Sequence, residues 1–335
     1  MILAGDIGGT KSNLGLFREN DLRSAVVEQT FRSRDYAGLE HIVAEFTKGL
    51  APDQEVTHAC FGIAGPIVNE SCQTPNLAWV IKAKTIRETL RLEAVRLIND
   101  LESTGYGVSL LRPEELITLN AGDPPPNGNA ALIAAGTGLG EATLHWNGKQ
   151  FQPVASEGGH ADFAPRTEIE VALLRHLWQF HDHVSYERVL SGPGLHNIYQ
   201  FLRDTRRAEE PASLAEEIAR RDPPRVIAEH ALAGDSPICS LAMDMLVSIY
   251  GAEAGNLALR AVATGGLYLG GGIAPQILPK LRDPALLKAF RAKGRLSNFL
   301  DAVPVRVIMN DQTALLGAAR VALLACTQSR IAGVE

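Results

Sequence analysis

Apolar residues arrive along this chain in short blocks separated by glycine-rich turns, and the blocks alternate between two periods. Ile2, Leu3 and Ala4 lead into Gly5-Asp6-Ile7-Gly8-Gly9-Thr10, after which Leu14, Leu16 and Phe17 resume. That spacing predicts strand, tight turn, strand, and so a hairpin. Leu39, Ile42, Val43, Phe46 and Leu50 then recur at helical spacing within 35–50, as one buried helix face requires. Residues 58–67 read as a strand closed by Gly65-Pro66, 83–92 as a helix, and 93–100 as a strand ending at Asn99-Asp100.

The stretch GDPPPNGN (122–129) holds too much proline and glycine for regular structure, so a domain junction is expected between about 110 and 128. Beyond it, AALIAAGTGLGEATLHW (130–146) repeats the opening design: small apolar strand, glycine turn, apolar strand. The repeat suggests two halves of related architecture facing each other. Thr167 opens a helix with Glu170 three residues on, a capping box, and Ile169, Leu173, Leu177 and Phe180 fall on one side of it. Residues 194–264 read as mostly helical, 263–278 as strand, glycine turn and helix, 303–309 as a last strand and 311–325 as a last helix. The order predicts a two-lobed α/β protein with a cleft.

Composition narrows the class. The chain has 335 residues, 46% of them hydrophobic, which excludes disordered and fibrous classes. A chain this long buries roughly 75% of its unfolded surface. No apolar run reaches the ~18 residues of a membrane span, and the N-terminus has neither a basic region nor a long apolar core. The expectation is a cytoplasmic protein with no membrane partner. A net charge of −6, with no Lys/Arg block, argues against nucleic acid. Cys60, Cys72, Cys239 and Cys326 include no CxxC pair, so buried thiols are expected, not a disulfide framework or a zinc cage.

Several stretches carry candidate chemistry. In Gly5–Thr10, consecutive glycines allow backbone N–H groups to approach phosphate oxygens, Thr10 adds a hydroxyl, and Asp6 suits a magnesium ion. The stretch is no Walker A loop, and no helix follows it as a dinucleotide fingerprint requires. Gly136-Thr137-Gly138-Leu139-Gly140 is a second such turn, and Gly270-Gly271-Gly272 offers flat backbone for a purine ring. Glu157 and His160, separated by two glycines, suit hydroxyl binding, as does Glu187. Asn99-Asp100 at a strand end, taken alone, reads first as a turn with a helix N-cap and only second as a reactive pair.

In their order and spacing, GDIGGT, GIAGPI, NLAW, LIND, GTGLG, EGGHADFAP, ERVLSGPGL, GGGIAP and LLGAA resemble the bacterial glucokinase family, over residues 2 to about 322. The resemblance implies an actin-like ATPase (ribonuclease H-like) α/β fold with an active-site cleft between its lobes. It implies a small lobe of residues 1–110 plus 302–335, and a large lobe, 111–301, carrying a mostly helical insert and a homodimer contact. The implied reaction is phosphorylation of D-glucose at its 6-hydroxyl by ATP with Mg²⁺. Asp100 would be the general base, and Asn76, Asn99, Asp100, Glu157, His160 and Glu187 would hold the sugar. Gly5, Asp6, Ile7, Gly8, Gly9 and Thr10, with Gly136, Thr137 and Gly138, would hold phosphates. Gly271 and Gly272 would lie near adenosine, and Asp6 would face Mg²⁺ through water.

The chain departs from the family pattern at Lys11 and Ser12, where Asn and Ala are common. It departs again at Glu141, where a small apolar residue is common and where the acid is expected to point into solvent, and in the proline of TPNLAW. A kinase of the repressor/open-reading-frame/kinase type, acting on another hexose or an amino sugar, often carries a cysteine cluster after its EGGH motif. No cysteine lies between Cys72 and Cys239. His181-Asp182-His183 reads as a surface or capping group, since residues two apart on a helix face different sides. A sugar-responsive regulator needs a helix-turn-helix ahead of a phosphate turn that begins at residue 5, and a chaperone-like ATPase would lack the sugar set. The presence of Asp100 weighs against an inactive sugar sensor.

Overall fold

The computed structural model describes residues 1–51, 54–74, 77–125 and 127–332. In chain order, the elements of the first stretch are β1 (Ile2–Ile7), β2 (Lys11–Phe17), β3 (Val27–Arg32), α1 (Leu39–Lys48), β4 (His58–Ile63), β5 (Ser71–Gln73), β6 (Val80–Lys82), α2 (Ala83–Leu90), β7 (Ala94–Asn99) and α3 (Asp100–Val108). There follow β8 (Leu116–Asn120), β9 (Ala130–Ala135), β10 (Leu139–Trp146), β11 (Phe151–Ser156), α4 (Glu168–Leu177), α5 (Gly192–Asp204), α6 (Ala212–Arg220), α7 (Pro223–Ala233) and α8 (Pro237–Ala261). The chain ends with β12 (Gly266–Gly270), α9 (Ile273–Gln276), α10 (Leu278–Leu281), α11 (Pro284–Arg291), α12 (Ser297–Asp301), β13 (Val305–Ile308) and α13 (Thr313–Ala332). They form two compact units, one of Met1–Pro113, Lys149–Ala155 and Asn310–Glu335, the other of Glu114–Gly148 and Ser156–Met309.

The sheet of the first unit has the order β3-β2-β1-β4-β7. β1 pairs antiparallel with β2 and parallel with β4, which is parallel to β7. In register, Ile7 lies beside Ile63, and Ile63 beside Asn99. Three parallel strands therefore release the chain at one level: into Gly8–Thr10, into Ala64–Pro66, and into α3 at Asp100. Ligands of open α/β sheets gather at such carboxyl ends. β4 is buried at every position, and α1 buries Leu39, Ile42, Val43 and Phe46 against the apolar cluster of this sheet. α13 packs on α3 so closely that a Cβ on Gly317 would overlap the Ser103 carbonyl, and one on Gly107 the Thr313 carbonyl. Ser103 Oγ donates to Ala314 O at 2.7 Å across the same contact. The position of α3, whose first residue is Asp100, is thus set by backbone-to-backbone approach.

In the second unit, β10-β9-β12-β13-β8 run side by side. β10 is antiparallel to β9, while β9, β12 and β13 are parallel. The arrangement β10-β9-β12-β13 reproduces β2-β1-β4-β7, so the repeat seen in the sequence is a repeat of topology. Ala134 pairs with Gly270, which brings the turns after β9 and β12 together. α8 is the core helix of this unit, lying among α5, α7 and α11.

Several expectations need correction. Residues 302–309 do not join the first unit: β13 sits between β12 and β8, where buried Val305, Val307 and Ile308 complete the second sheet. The chain returns to the first unit only from Asn310. The boundary falls at Pro113, within the expected junction of about 110–128, although that stretch also contains a strand, β8. The helix opened by Thr167 stops at Leu177, and Phe180, beyond its end, is 65% exposed. α8, 25 residues long, is long and apolar enough to cross a membrane, but most of its apolar stretch is buried inside the protein. Asp244 and Glu253 interrupt its sequence, so it did not read as an unbroken apolar run. β3 went unnoticed because its first four residues are partly or fully exposed.

Candidate active site

In the first unit, the turn between β1 and β2 is held from several sides. Gly8 N donates to Lys11 O at 2.9 Å, and Ser33 N to Thr10 O at 3.1 Å. Ser33 Oγ donates to Gly8 O at 2.7 Å and lies 3.0 Å from Ser12 Oγ. Ser12, one of the departures from the family pattern, is fully buried and braces the turn through Ser33. Lys11 is exposed. Asp6 is half-buried in β1. Burial pushes its carboxyl pKa up, and the Asn13 side chain opposes the shift. A carboxylate short of solvation on a glycine turn suits a cation brought by a polyphosphate. Among the described residues no group of three or more His, Cys, Asp or Glu side chains offers a metal site of its own.

The Asn99-Asp100 pair divides two tasks. Asn99 is the N-cap of α3: its Oδ1 accepts from Leu101 N at 2.9 Å and from Glu102 N at 3.4 Å. Its Nδ2 donates to Gly65 O at 3.2 Å, tying the turn after β4 to the end of β7. Asp100 is the first helical residue, half-buried, with Oδ1 3.0 Å from Leu101 N. Asp100 is close enough to β5 that its charge, after burial, raises the Cys72 thiol pKa. Between β5 and β6, Trp79 Nε1 donates to Tyr36 O at 3.1 Å and Thr74 Oγ1 to Leu77 O at 2.8 Å. Asn76 lies outside the described residues.

In the second unit, Gly136-Thr137-Gly138 turns between β9 and β10. Gly136 N donates to Gly138 O at 2.9 Å, and Gly192 N to Gly136 O at 2.8 Å. Glu187 reaches this turn directly: its Oε2 accepts from Leu139 N at 2.9 Å, and a Cβ on Gly138 would sit 2.6 Å from that oxygen. Glu187 is therefore a brace of the glycine turn. Gly158 and Gly159 lie flat on β10, where a Cβ on Gly159 would overlap the Leu139 carbonyl, and Glu157 and His160 beside them are exposed. Three of the sequence-predicted sugar residues are thus built around the first residues of β10. Gly271 has φ 77°, and a Cβ there would overlap the Ala135 carbonyl, whereas the space at Gly272 is open. His181-Asp182-His183 lies past the end of α4, not on a helix, and His183 Nε2 pairs with Asp162 Oδ1 at 3.0 Å.

Glu141 does not point into solvent. It is 1% exposed, and its Oε2 accepts from Arg260 Nη2 at 3.1 Å. The same guanidinium nitrogen bonds Glu253, which is completely buried. Burial, and then the charge of Glu253, push the Glu141 carboxyl up to about 8 against the pull of Arg260. The signal was present in the sequence. Glu141 shares strand parity with buried Leu139, and Glu253 and Arg260 are seven residues apart, on one face of α8.

Against known proteins, the model of the family described as Glucokinase matches residues 3–325. A glucokinase of Nostoc sp. (strain PCC 7120) is 41% identical over 335 residues, covering 95% of this chain and 98% of the relative. A crystal structure of glucokinase from an Antarctic psychrotroph superposes with TM-score 0.82 at 29% identity, over 96% of this chain and 98% of that one. A ROK family glucokinase from Streptomyces griseus, in complex with glucose and AMPPNP, shares the fold at TM-score 0.63 and 19% identity, over 96% of this chain and 98% of that one.

Proposed function

The chain belongs to the glucokinase family, and on that premise we propose the part each residue plays in the family's reaction. The protein phosphorylates glucose at the expense of ATP. Asp100 takes the proton of the 6-hydroxyl as its oxygen attacks the terminal phosphorus and ADP leaves. A placed carboxylate contributes roughly 10²–10⁴-fold in such a step. The remainder is positioning and charge neutralisation. Support for Asp100 comes above all from its place: it opens α3 directly after β7, where Asn99 Oδ1 accepts from Leu101 N and Glu102 N and Asp100 Oδ1 itself lies 3.0 Å from Leu101 N.

Glu157, His160 and Glu187 hold sugar hydroxyls, with Asn99 and Asn76 contributing amides. The backbone of Gly5–Thr10 and of Gly136–Gly138 holds phosphates, and Gly271 and Gly272 lie against adenosine. Magnesium would arrive with the nucleotide and neutralise phosphate oxygens near Asp6. Its desolvated carboxyl fits that role. We further assign the working form as a cytoplasmic homodimer, in line with exposed Trp178 and Phe180 just beyond α4; sedimentation of the purified chain tests it.

The experiment is a coupled assay for glucose 6-phosphate with Mg-ATP, run on the wild type and on Asp100→Asn, beside fructose, mannose and N-acetylglucosamine. The expected result is preference for glucose and a kcat loss of about 10²–10⁴-fold in the variant, with glucose binding retained by calorimetry. Near-normal turnover of Asp100→Asn would refute the assignment.

A further inference from the structure

The proposed sugar residues stand on a buried polar network that none of the roles above uses. Glu141 on β10 and Glu253 on α8 are both buried, and both bond the same guanidinium nitrogen of Arg260. Two carboxyl groups can share a hydrogen bond only if one carries a proton. Glu141 Oε1 is buried with no hydrogen-bond partner, and the charge of Glu253 acts on the same carboxyl.

The network touches both segments that carry the sugar residues. Ser156 Oγ donates to Glu141 O at 3.2 Å and accepts from Gly158 N at 3.2 Å. A Cβ on Gly158 would overlap Glu141 Oε2. The turn bearing Glu157 and His160 is therefore seated directly on the Glu141 carboxyl. On the other side, Asn256 Nδ2 donates to Glu253 Oε2 at 2.8 Å and to Tyr186 Oη at 3.2 Å. Tyr186 immediately precedes Glu187.

We propose that the Glu141–Glu253 carboxyl pair, holding one proton and clamped by Arg260, is the positioning element that sets Glu157, His160 and Glu187 for sugar binding. The inference rests on the sugar reading of those three residues. Loss of the shared proton puts two negative charges on one guanidinium. The charged and titratable groups around the pair are Arg260 on α8, Tyr186, Lys293 (which donates to Ala252 O at 2.9 Å) and Arg166. None of the cations besides Arg260 bonds the pair among the hydrogen bonds of the described residues. The expected response to deprotonation is a shift of the seated turn, read as weaker glucose binding. Burial and the Glu253 charge place the loss on the alkaline side of neutrality.

The test is the pH dependence of glucose KM at saturating ATP, between about pH 6.5 and 9.5, with kcat and ATP KM followed in parallel. Wild type, Glu141→Gln and Glu253→Gln are compared. Glutamine keeps the shape and a permanent N–H, so either variant mimics the protonated pair. In wild type, glucose KM is expected to rise at least threefold above about pH 8, with ATP KM unchanged; in a Gln variant that rise is expected to vanish. An infrared difference spectrum, Glu141→Gln minus wild type at neutral pH, is expected to show loss of a protonated carboxylic acid band. A flat wild-type glucose KM, an undiminished alkaline rise in both variants, or no carboxylic acid band would each overturn the proposal. Glu157→Gln distinguishes the two layers: an unchanged glucose KM there refutes the sugar reading, whereas the infrared band reports the shared proton regardless.

Discussion

Replacing Asn99 separates what the cap does from what the sugar needs. The side chain makes two capping bonds, at 2.9 and 3.4 Å, and one donor bond to Gly65 O at 3.2 Å. Loss of an Asn cap to Ala costs about 1 kcal/mol, and loss of a part-buried hydrogen bond about another 1 kcal/mol. Asn99→Ala should therefore destabilise the first unit by about 2 kcal/mol, which corresponds to a Tm lower by about 4–8 °C. Asn99→Ser keeps an oxygen that can cap and gives up only the Gly65 bond, so about half of that loss is expected. The kinetic consequences should divide in the same way. Without a cap the first turn of α3 frays, Asp100 with it, and kcat falls in Asn99→Ala. Asn99→Ser restores kcat, but its glucose KM stays raised because the amide donor is gone. Thermal unfolding and steady-state kinetics on the same three proteins decide the matter. If Ala and Ser lose equal stability, or if Ala loses none, the capping argument is wrong.

Three further outcomes follow from the same geometry. Gly317→Ala forces a methyl group into the Ser103 carbonyl; overpacking of this kind costs about 1–3 kcal/mol, more than the ~1 kcal/mol that Ala gains over Gly in a helix, so Tm should fall and kcat with it as α3 is displaced. Gly271→Ala meets both a φ of 77° and the Ala135 carbonyl, and ATP KM should rise while glucose KM stays near wild type. Stability should also depend on pH through Glu141, whose carboxyl is pushed up to about 8 in the folded state. Between the ordinary carboxylate value, about 4.3, and that value the folded state holds a proton that the unfolded chain has released, so stability falls as pH rises through the window and levels off above it. The slope approaches about 1.4 kcal/mol per pH unit. Urea unfolding of wild type minus Glu141→Gln isolates it, and a difference that does not change with pH would refute the buried proton.

How much of this was legible in the sequence depended on whether the deciding interaction was local. The glycine turns at Gly8 and Gly136 announced themselves because each lies between two apolar strands, and the parallel pairing that sets Ile7, Ile63 and Asn99 at one level follows once those strands exist. Thr167 was readable as a cap for the same reason, since a cap acts within three residues. β13 was placed in the wrong unit because nothing in Val305–Ile308 distinguishes one sheet from another; the pairing with Leu267 and Leu269 decides it, and that partner lies some forty residues away. Glu141 was misplaced for a related reason. Charge alone argues for solvent, and only a guanidinium on α8, more than one hundred residues later, reverses the balance.

The two units differ in how they answer the same demand. Each must hold a glycine turn still after a parallel strand. In the first, the brace is neutral: the Ser33 hydroxyl donates to Gly8 O and is itself bonded to the Ser12 hydroxyl, on a turn that follows an Asp6 carboxyl already short of solvation. A charged brace there would add a second buried ion beside the first. In the second unit the brace is an acid, Glu187, bonded to Leu139 N. It is half-buried, so its charge is kept partly in water and offset by a backbone donor. An acid placed this way fixes the phosphate turn and presents a hydroxyl acceptor from one side chain. Glu187→Gln should therefore raise the KM of both substrates, whereas Glu157→Gln, exposed and apart from that turn, should raise that of glucose alone. Equal, glucose-only effects from the two variants would mean that the Leu139 contact is incidental to nucleotide binding.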